Sequence, residues 1–135
     1  VEFLIDTDVA IHLRDKSPEI TDRISALSSS PAISIVTRVE SEGGVFRVPE
    51  LAATRRARLD TMLISLPCLT FDGAAAEAYG RLVGLLGYSR RRLLDRMIAA
   101  QAIAAEARLI TTNGADFNDI PGLKLEIWPS PPPLA

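Results

Sequence analysis

The sequence predicts a single three-layer α/β/α domain in which helices cover both faces of a mainly parallel sheet of four to five strands. Short runs rich in β-branched residues alternate along the chain with segments whose apolar residues recur at helical spacing. Such alternation builds right-handed crossover units and hence a parallel sheet. The length of 135 residues suits one domain, and no internal repeat divides it.

Val1 to Ile5 reads as a short buried strand that ends abruptly at Asp6-Thr7-Asp8. Ile20, Ile24 and Leu27 fall on one helical stripe, which Ser28-Ser29-Ser30-Pro31 breaks. Ala32 to Val36 is a second strand, followed at once by Thr37-Arg38-Val39-Glu40. Leu59, Met62, Leu63 and Leu66 mark the next helix, stopped by Pro67, and Cys68 to Phe71 a third strand. Asp72 suits the N-cap of a helix through Ala75, Ala78, Tyr79, Leu82 and Leu86, with Gly87 as its stop. Leu93 to Ala107 is alanine-rich and helix-forming, and Leu94, Ile98 and Ala102 would give it a buried face. Arg108 to Thr112 and Lys124 to Trp128 supply a fourth and a fifth strand. Residues 1–128 therefore form the domain, and 129–135 a proline-rich tail that can join neither a helix nor a central strand.

Hydrophobic residues make up 47% of the chain and charged ones 24%, enough apolar material for a core without disulfide or metal staples. The single cysteine, Cys68, cannot form a bridge within the chain. No apolar run approaches the roughly 20 residues that span a bilayer, and the first residues lack the pattern of a signal peptide. The chain opens on Val1 rather than methionine, as one shortened at its start would. A soluble, cytoplasmic protein without membrane contact is expected. The net charge of −2 argues against a coat for nucleic acid, whose surface is strongly basic. Positive charge is nonetheless clustered, at Arg55, Arg56 and Arg58 and again at Arg90, Arg91, Arg92 and Arg96.

Ligand sites in open α/β sheets lie beyond the carboxyl ends of the strands, and acids collect there in this sequence. Asp6 closes the first strand, Glu40 follows the second by a helical turn, and Asp116 comes just after the fourth. Asp95 stands in the first turn of the alanine-rich helix, where the helix dipole alone would also favour it. Carboxylates brought close together must hold protons or bind a cation. Oxygen-only donors select hard ions such as Mg²⁺ or Mn²⁺, and those suit phosphodiester hydrolysis. His12 is the one histidine, so a histidine acid–base pair is not available. Zinc-hydrolase spacing, the G-x-S-x-G elbow and the glycine-rich phosphate loops are missing as well.

Leu4-Ile5-Asp6-Thr7-Asp8-Val9 resembles the opening of PIN domains, above all the VapC-type toxins of bacterial toxin–antitoxin pairs. Thr37-Arg38-Val39-Glu40 with Gly43-Gly44 is similar to that family's second-acid segment. Asp95 to Ala100 resembles its third-acid helix, and Leu109 to Phe117 the block carrying its fourth acid. The matches run in the family's order over nearly the whole chain. The resemblance implies a PIN-like fold and an Mg²⁺-dependent endoribonuclease, with Mn²⁺ as a substitute. It also implies homodimerisation and a cognate antitoxin as protein partner. Asp6 and Asp95 are then the expected direct metal ligands, with Glu40 and Asp116 completing the cluster directly or through water. Thr112 is expected to orient a water or phosphate oxygen and Asn113 to hold the loop. Asp8 reads either as an outer acid or as the cap of the following helix.

Two departures stand out. Some relatives carry a further acid just before the third one, where this chain has Arg92, Leu93 and Leu94, and Arg96 follows Asp95 where small or apolar residues are usual. Arg90 to Arg92 and Arg96 are accordingly expected to help hold an RNA backbone. Beside a purely structural network of carboxylates, two rival readings remain at this level. One is a PIN-like module that binds RNA or protein without cutting. The other is a phosphatase of the haloacid-dehalogenase kind, suggested by the D-x-D spacing of Asp6 and Asp8, although Lys16 and Lys124 are the only lysines.

Overall fold

The computed structural model describes residues 1–133; Leu134 and Ala135, the end of the proline-rich tail, lie outside the described residues. Five strands form one sheet: β1 (Phe3–Ile5), β2 (Ala32–Ser34), β3 (Cys68–Leu69), β4 (Arg108–Thr111) and β5 (Lys124–Ile127). Six helices accompany them: α1 (Thr7–Arg14), α2 (Pro18–Ser25), α3 (Ile35–Val45), α4 (Ala52–Ser65), α5 (Gly73–Leu86) and α6 (Leu93–Ala104). The strand order is β3-β2-β1-β4-β5 and every pairing is parallel.

Register explains why these strands read as unbroken apolar runs. Leu4 pairs with Ala32 and Leu109, and all three enter the core beneath α5 and α6. Ile5 pairs with Ile33 and Ile110, and these enter the opposite core with Val9, Ile20, Leu59 and Met62 from α1, α2 and α4. Alternate residues of each strand thus feed different layers, since successive side chains leave opposite faces of a sheet. Helix α3 joins the two cores at one end, with Val36 in the first and Val45 in the second.

Several elements end earlier than the sequence suggests, for local reasons. Strand β2 stops at Ser34 rather than Val36 because the Ser34 hydroxyl accepts the Val36 N–H at 2.9 Å and starts α3. Strand β3 keeps only two residues, and its last carbonyl, with that of Thr70, accepts hydrogen bonds from the Gln101 amide. Helix α6 ends at Ala104 and not Ala107, and β4 and β5 each lose their last expected residue. Leu94 is 43% exposed, so the apolar part of the buried face of α6 begins with Ile98 instead. Arg90 to Arg92 lie in the α5–α6 connection, not on a helix face. Asp72 caps α5 as expected, accepting the Ala75 N–H at 2.9 Å, and Gly87 closes that helix with φ of 82°. No described helix is long and apolar enough to cross a membrane.

Candidate active site

Strand order reverses direction between β1 and β4: from β1 the chain builds outward through β2 and β3, then returns to place β4 and β5 on the other side. In parallel α/β sheets the crevice beyond the strand ends at such a point is where ligands bind. Asp6 and Thr111 occupy that position. The Asp6 N–H continues the ladder to the Ile110 carbonyl at 3.0 Å, which fixes where its side chain emerges.

Asp6 as a residue is only 3% exposed, and both its carboxylate oxygens are engaged. Oδ1 accepts the Val9 N–H at 3.0 Å and caps α1, while Oδ2 accepts the Thr111 hydroxyl at 2.6 Å. Burial pushes the acid up to about 7 against the pull of those two hydrogen bonds, with the charges of Asp8 and Asp95 adding to the rise. The Thr111 hydroxyl also accepts the Asn113 N–H at 2.9 Å, and Asn113 Nδ2 donates to Asp116 Oδ2 at 2.8 Å. One polar chain therefore runs from the first acid to the fourth. Arg92 steadies its far end, donating to the Asp116 carbonyl at 3.1 Å with its guanidinium 3.9 Å from the carboxylate.

Glu40 is positioned by α3 packed beside α1. Thr7 donates to Glu40 Oε1 at 2.7 Å, and the fully buried Thr37 hydroxyl lies 2.9 Å from that of Thr7. Asp95 enters from the first turn of α6. Burial pushes it up to about 6; the charges of Asp116, Glu40 and Asp8 add to this, and Arg92 opposes it. Asp95 thus lies in the field of acids from three other segments, and Asp6 in the field of Asp95.

The four acids and Asp8 share one edge of the sheet, and two of them resist ionisation there. Among the described residues no three His, Cys, Asp or Glu side chains are gathered closely enough to hold an ion by themselves. An open, oxygen-only donor set fits Mg²⁺ or Mn²⁺, which keep several waters and take one or two carboxylates with substrate phosphate.

The chain matches the PIN domain family over residues 3–123, from β1 to the turn before β5. It belongs to that family. The PIN domain is similar to Ribonuclease VapC2 of Rickettsia felis, with 29% identity over 93% of this chain and 97% of the relative. It is also 25% identical to the tRNA(fMet)-specific endonuclease VapC of Shigella flexneri, over 95% of this chain and 98% of that one. Among solved structures, VapBC from Salmonella typhimurium bound to DNA superposes with a TM-score of 0.84 at 26% identity, covering 95% of this chain and 98% of that one. The expected PIN-like α/β fold is thereby established.

Other details of the PIN domain differ from the sequence reading. The hydroxyl that touches Asp6 belongs to Thr111, while Thr112, one residue past the strand, makes no side-chain hydrogen bond among the described residues. The cap of α1 is Asp6, which leaves Asp8 exposed in the first turn. Arg96 is buried at 6% exposure, donating to the Gly87 carbonyl at 3.1 Å with Asp119 3.5 Å away, so its charge is directed inward. Thr7 and Thr37 escaped the sequence reading. The only signal for them was a threonine following Asp6 and another three residues before Glu40, a spacing that places it one helical turn away.

Proposed function

We propose that this PIN domain is an Mg²⁺- or Mn²⁺-dependent endoribonuclease, the toxin of a toxin–antitoxin pair, acting in the cytoplasm as a homodimer. The catalytic part is supported by the mutual influence of the acids: Asp95 lies in the field of Glu40 and Asp116, Asp6 lies in that of Asp95, and both Asp6 and Asp95 are held above the ordinary carboxylate range. Two similar proteins bear the names ribonuclease and tRNA endonuclease, which supports RNA as the substrate class.

Asp6 and Asp95 would hold the cation, with Glu40 and Asp116 completing the acidic wall. When bound, the cation supplies positive charge for the scissile phosphate and lowers the pKa of an attacking water. Thr111 orients Asp6 by a hydrogen bond to its carboxylate, and Thr7 does the same for Glu40. Asn113 and Arg92 keep the Asp116 loop against the site. Thr112 and Asp8 stand at the margin, where they can meet a phosphate oxygen or an outer water.

The partner part rests on a different surface. A groove of about 560 Å³ lies between α1, α2 and α4, with Leu13, Ile24, Met62 and Leu66 in its lining and Arg14 and Arg58 among them. It fits an amphipathic segment with acidic side chains, as a neutralising antitoxin would supply. The solved relatives from Rickettsia felis and Salmonella typhimurium are VapBC complexes, which supports such a partner.

The test is cleavage of total cellular RNA by the purified, partner-free protein with Mg²⁺, with Mn²⁺ and with chelator, beside Asp95→Asn. Discrete fragments that need the cation and disappear in the variant are expected. Folded wild-type protein that cuts nothing in either cation would favour the non-catalytic binding module instead.

A further inference from the structure

The α5–α6 connection, residues 87–92, carries features beyond the Arg92 tie that the acid cluster does not use. It is a built loop: Gly87 turns it with positive φ, the Ser89 hydroxyl accepts the Arg92 N–H at 3.2 Å, and the Arg90 carbonyl accepts the Leu93 N–H at 3.4 Å. Two of its neighbouring arginines point inward. Arg96 grips the Gly87 carbonyl from below, and Arg92 ties the loop to the Asp116 carbonyl. Two others are free: Arg90 and Arg91 are exposed and have no ion-pair partner among the described residues. Beside them Tyr88 is 66% exposed, one of only two tyrosines in the chain.

A cluster of carboxylates repels a polyanion, so a domain of net charge −2 needs local positive charge beside that cluster to bring RNA to it. This loop is joined directly to the helix that carries Asp95 and is tied to the backbone of Asp116. An exposed aromatic ring next to unpaired arginines is also the combination that grips single strands, by stacking a base and holding its phosphates.

We propose that the α5–α6 loop is the substrate grip of the domain, Tyr88 stacking on an unpaired RNA base while Arg90 and Arg91 hold the adjoining phosphates. This rests on the nuclease reading and narrows its substrate to a single-stranded segment at the cut. Arg92 and Arg96 act in it as positioning residues that keep the loop rigid, so little ordering is lost on binding.

The experiment is fluorescence anisotropy of a labelled single-stranded RNA of mixed sequence against the full chain, with chelator and with Ca²⁺, over a series of salt concentrations. Replacing both Arg90 and Arg91 by alanine should weaken binding and reduce the log–log salt slope by about 1.4, since each phosphate contact on a single strand contributes about 0.7. Tyr88→Ala should weaken binding roughly tenfold with its slope unchanged, and Tyr88→Phe should restore it. Arg108→Ala, at the opposite end of β4 from the acids, should bind within about twofold of wild type and serves as the charge control. Wild-type affinity and slope in the loop variants overturn the proposal while leaving the nuclease reading intact. If Tyr88→Ala instead shifts a dimer to monomer with RNA affinity per protomer unchanged, the loop is an interface between copies and the proposal also falls. A wild type that binds no single strand overturns it too, and takes the nuclease reading with it if total RNA is left uncut.

Discussion

Asp6 uses one oxygen to start a helix and the other to accept a hydroxyl, and yet burial holds it near neutrality. Its folded-state pKa of about 7 lies above the ordinary 3.8, so the folded protein keeps this proton longer than the unfolded chain does. The resulting stability is present in full below about pH 4 and is lost as pH rises through about 7; Asp95 adds a loss of the same sign through about 6. Calorimetry of the metal-free protein should therefore find Tm falling between pH 5 and pH 8, with a flatter profile for Asp6→Asn, whose amide still caps α1. Thr111 is the second sensitive residue. Thr111→Val removes the donor to Asp6 and the acceptor for the Asn113 N–H, and should cost about 1–3 kcal/mol in denaturant titration and at least about tenfold in RNA cleavage. Thr111→Ser should restore both, whereas Thr112→Val should leave stability unchanged. The places of Asp6, Asp95 and Asp116 were legible because each follows a strand or opens a helix. The choice between Thr111 and Thr112 was not, because it depends on whether the strand ends one residue sooner.

At the level of elements, legibility followed the strength of local signals. Helix α5 was readable at both ends because Asp72 and Gly87 mark them chemically. Asp72→Ala should cost about 1 kcal/mol and lower Tm by roughly 2–4 °C, measured by thermal unfolding. Helix α1 was harder to see: it has eight residues, and its cap is an acid that also ends a strand. The early end of β2 is the same problem in reverse, since Ile35 and Val36 favour a strand by type but follow a serine that starts a helix. The two-residue β3 depends on Gln101, far away in sequence, to satisfy its terminal carbonyls. No local pattern announces such a partner.

For the molecule as a whole, alternating elements implied a covered parallel sheet, but strand order was not readable from any segment. That order matters most for the site, because only the adjacency of β1 and β4 brings Asp6 to Thr111 across 105 positions of sequence. Acids gathered there without a cation repel one another, so Mg²⁺ should raise Tm in a concentration-dependent way, and Asp95→Asn should abolish most of that rise. The same helix that Asp6 caps reaches the apolar groove at its other end, where Leu13 and Arg14 line it. Eight residues of helix are about 12 Å long, a single stiff rod between the two places. Whatever a partner in the groove does to cation affinity by shifting that rod, the cation must do to partner affinity by the same factor. The pair would then form a two-way thermodynamic coupling, measurable by titrating either ligand in the presence of the other.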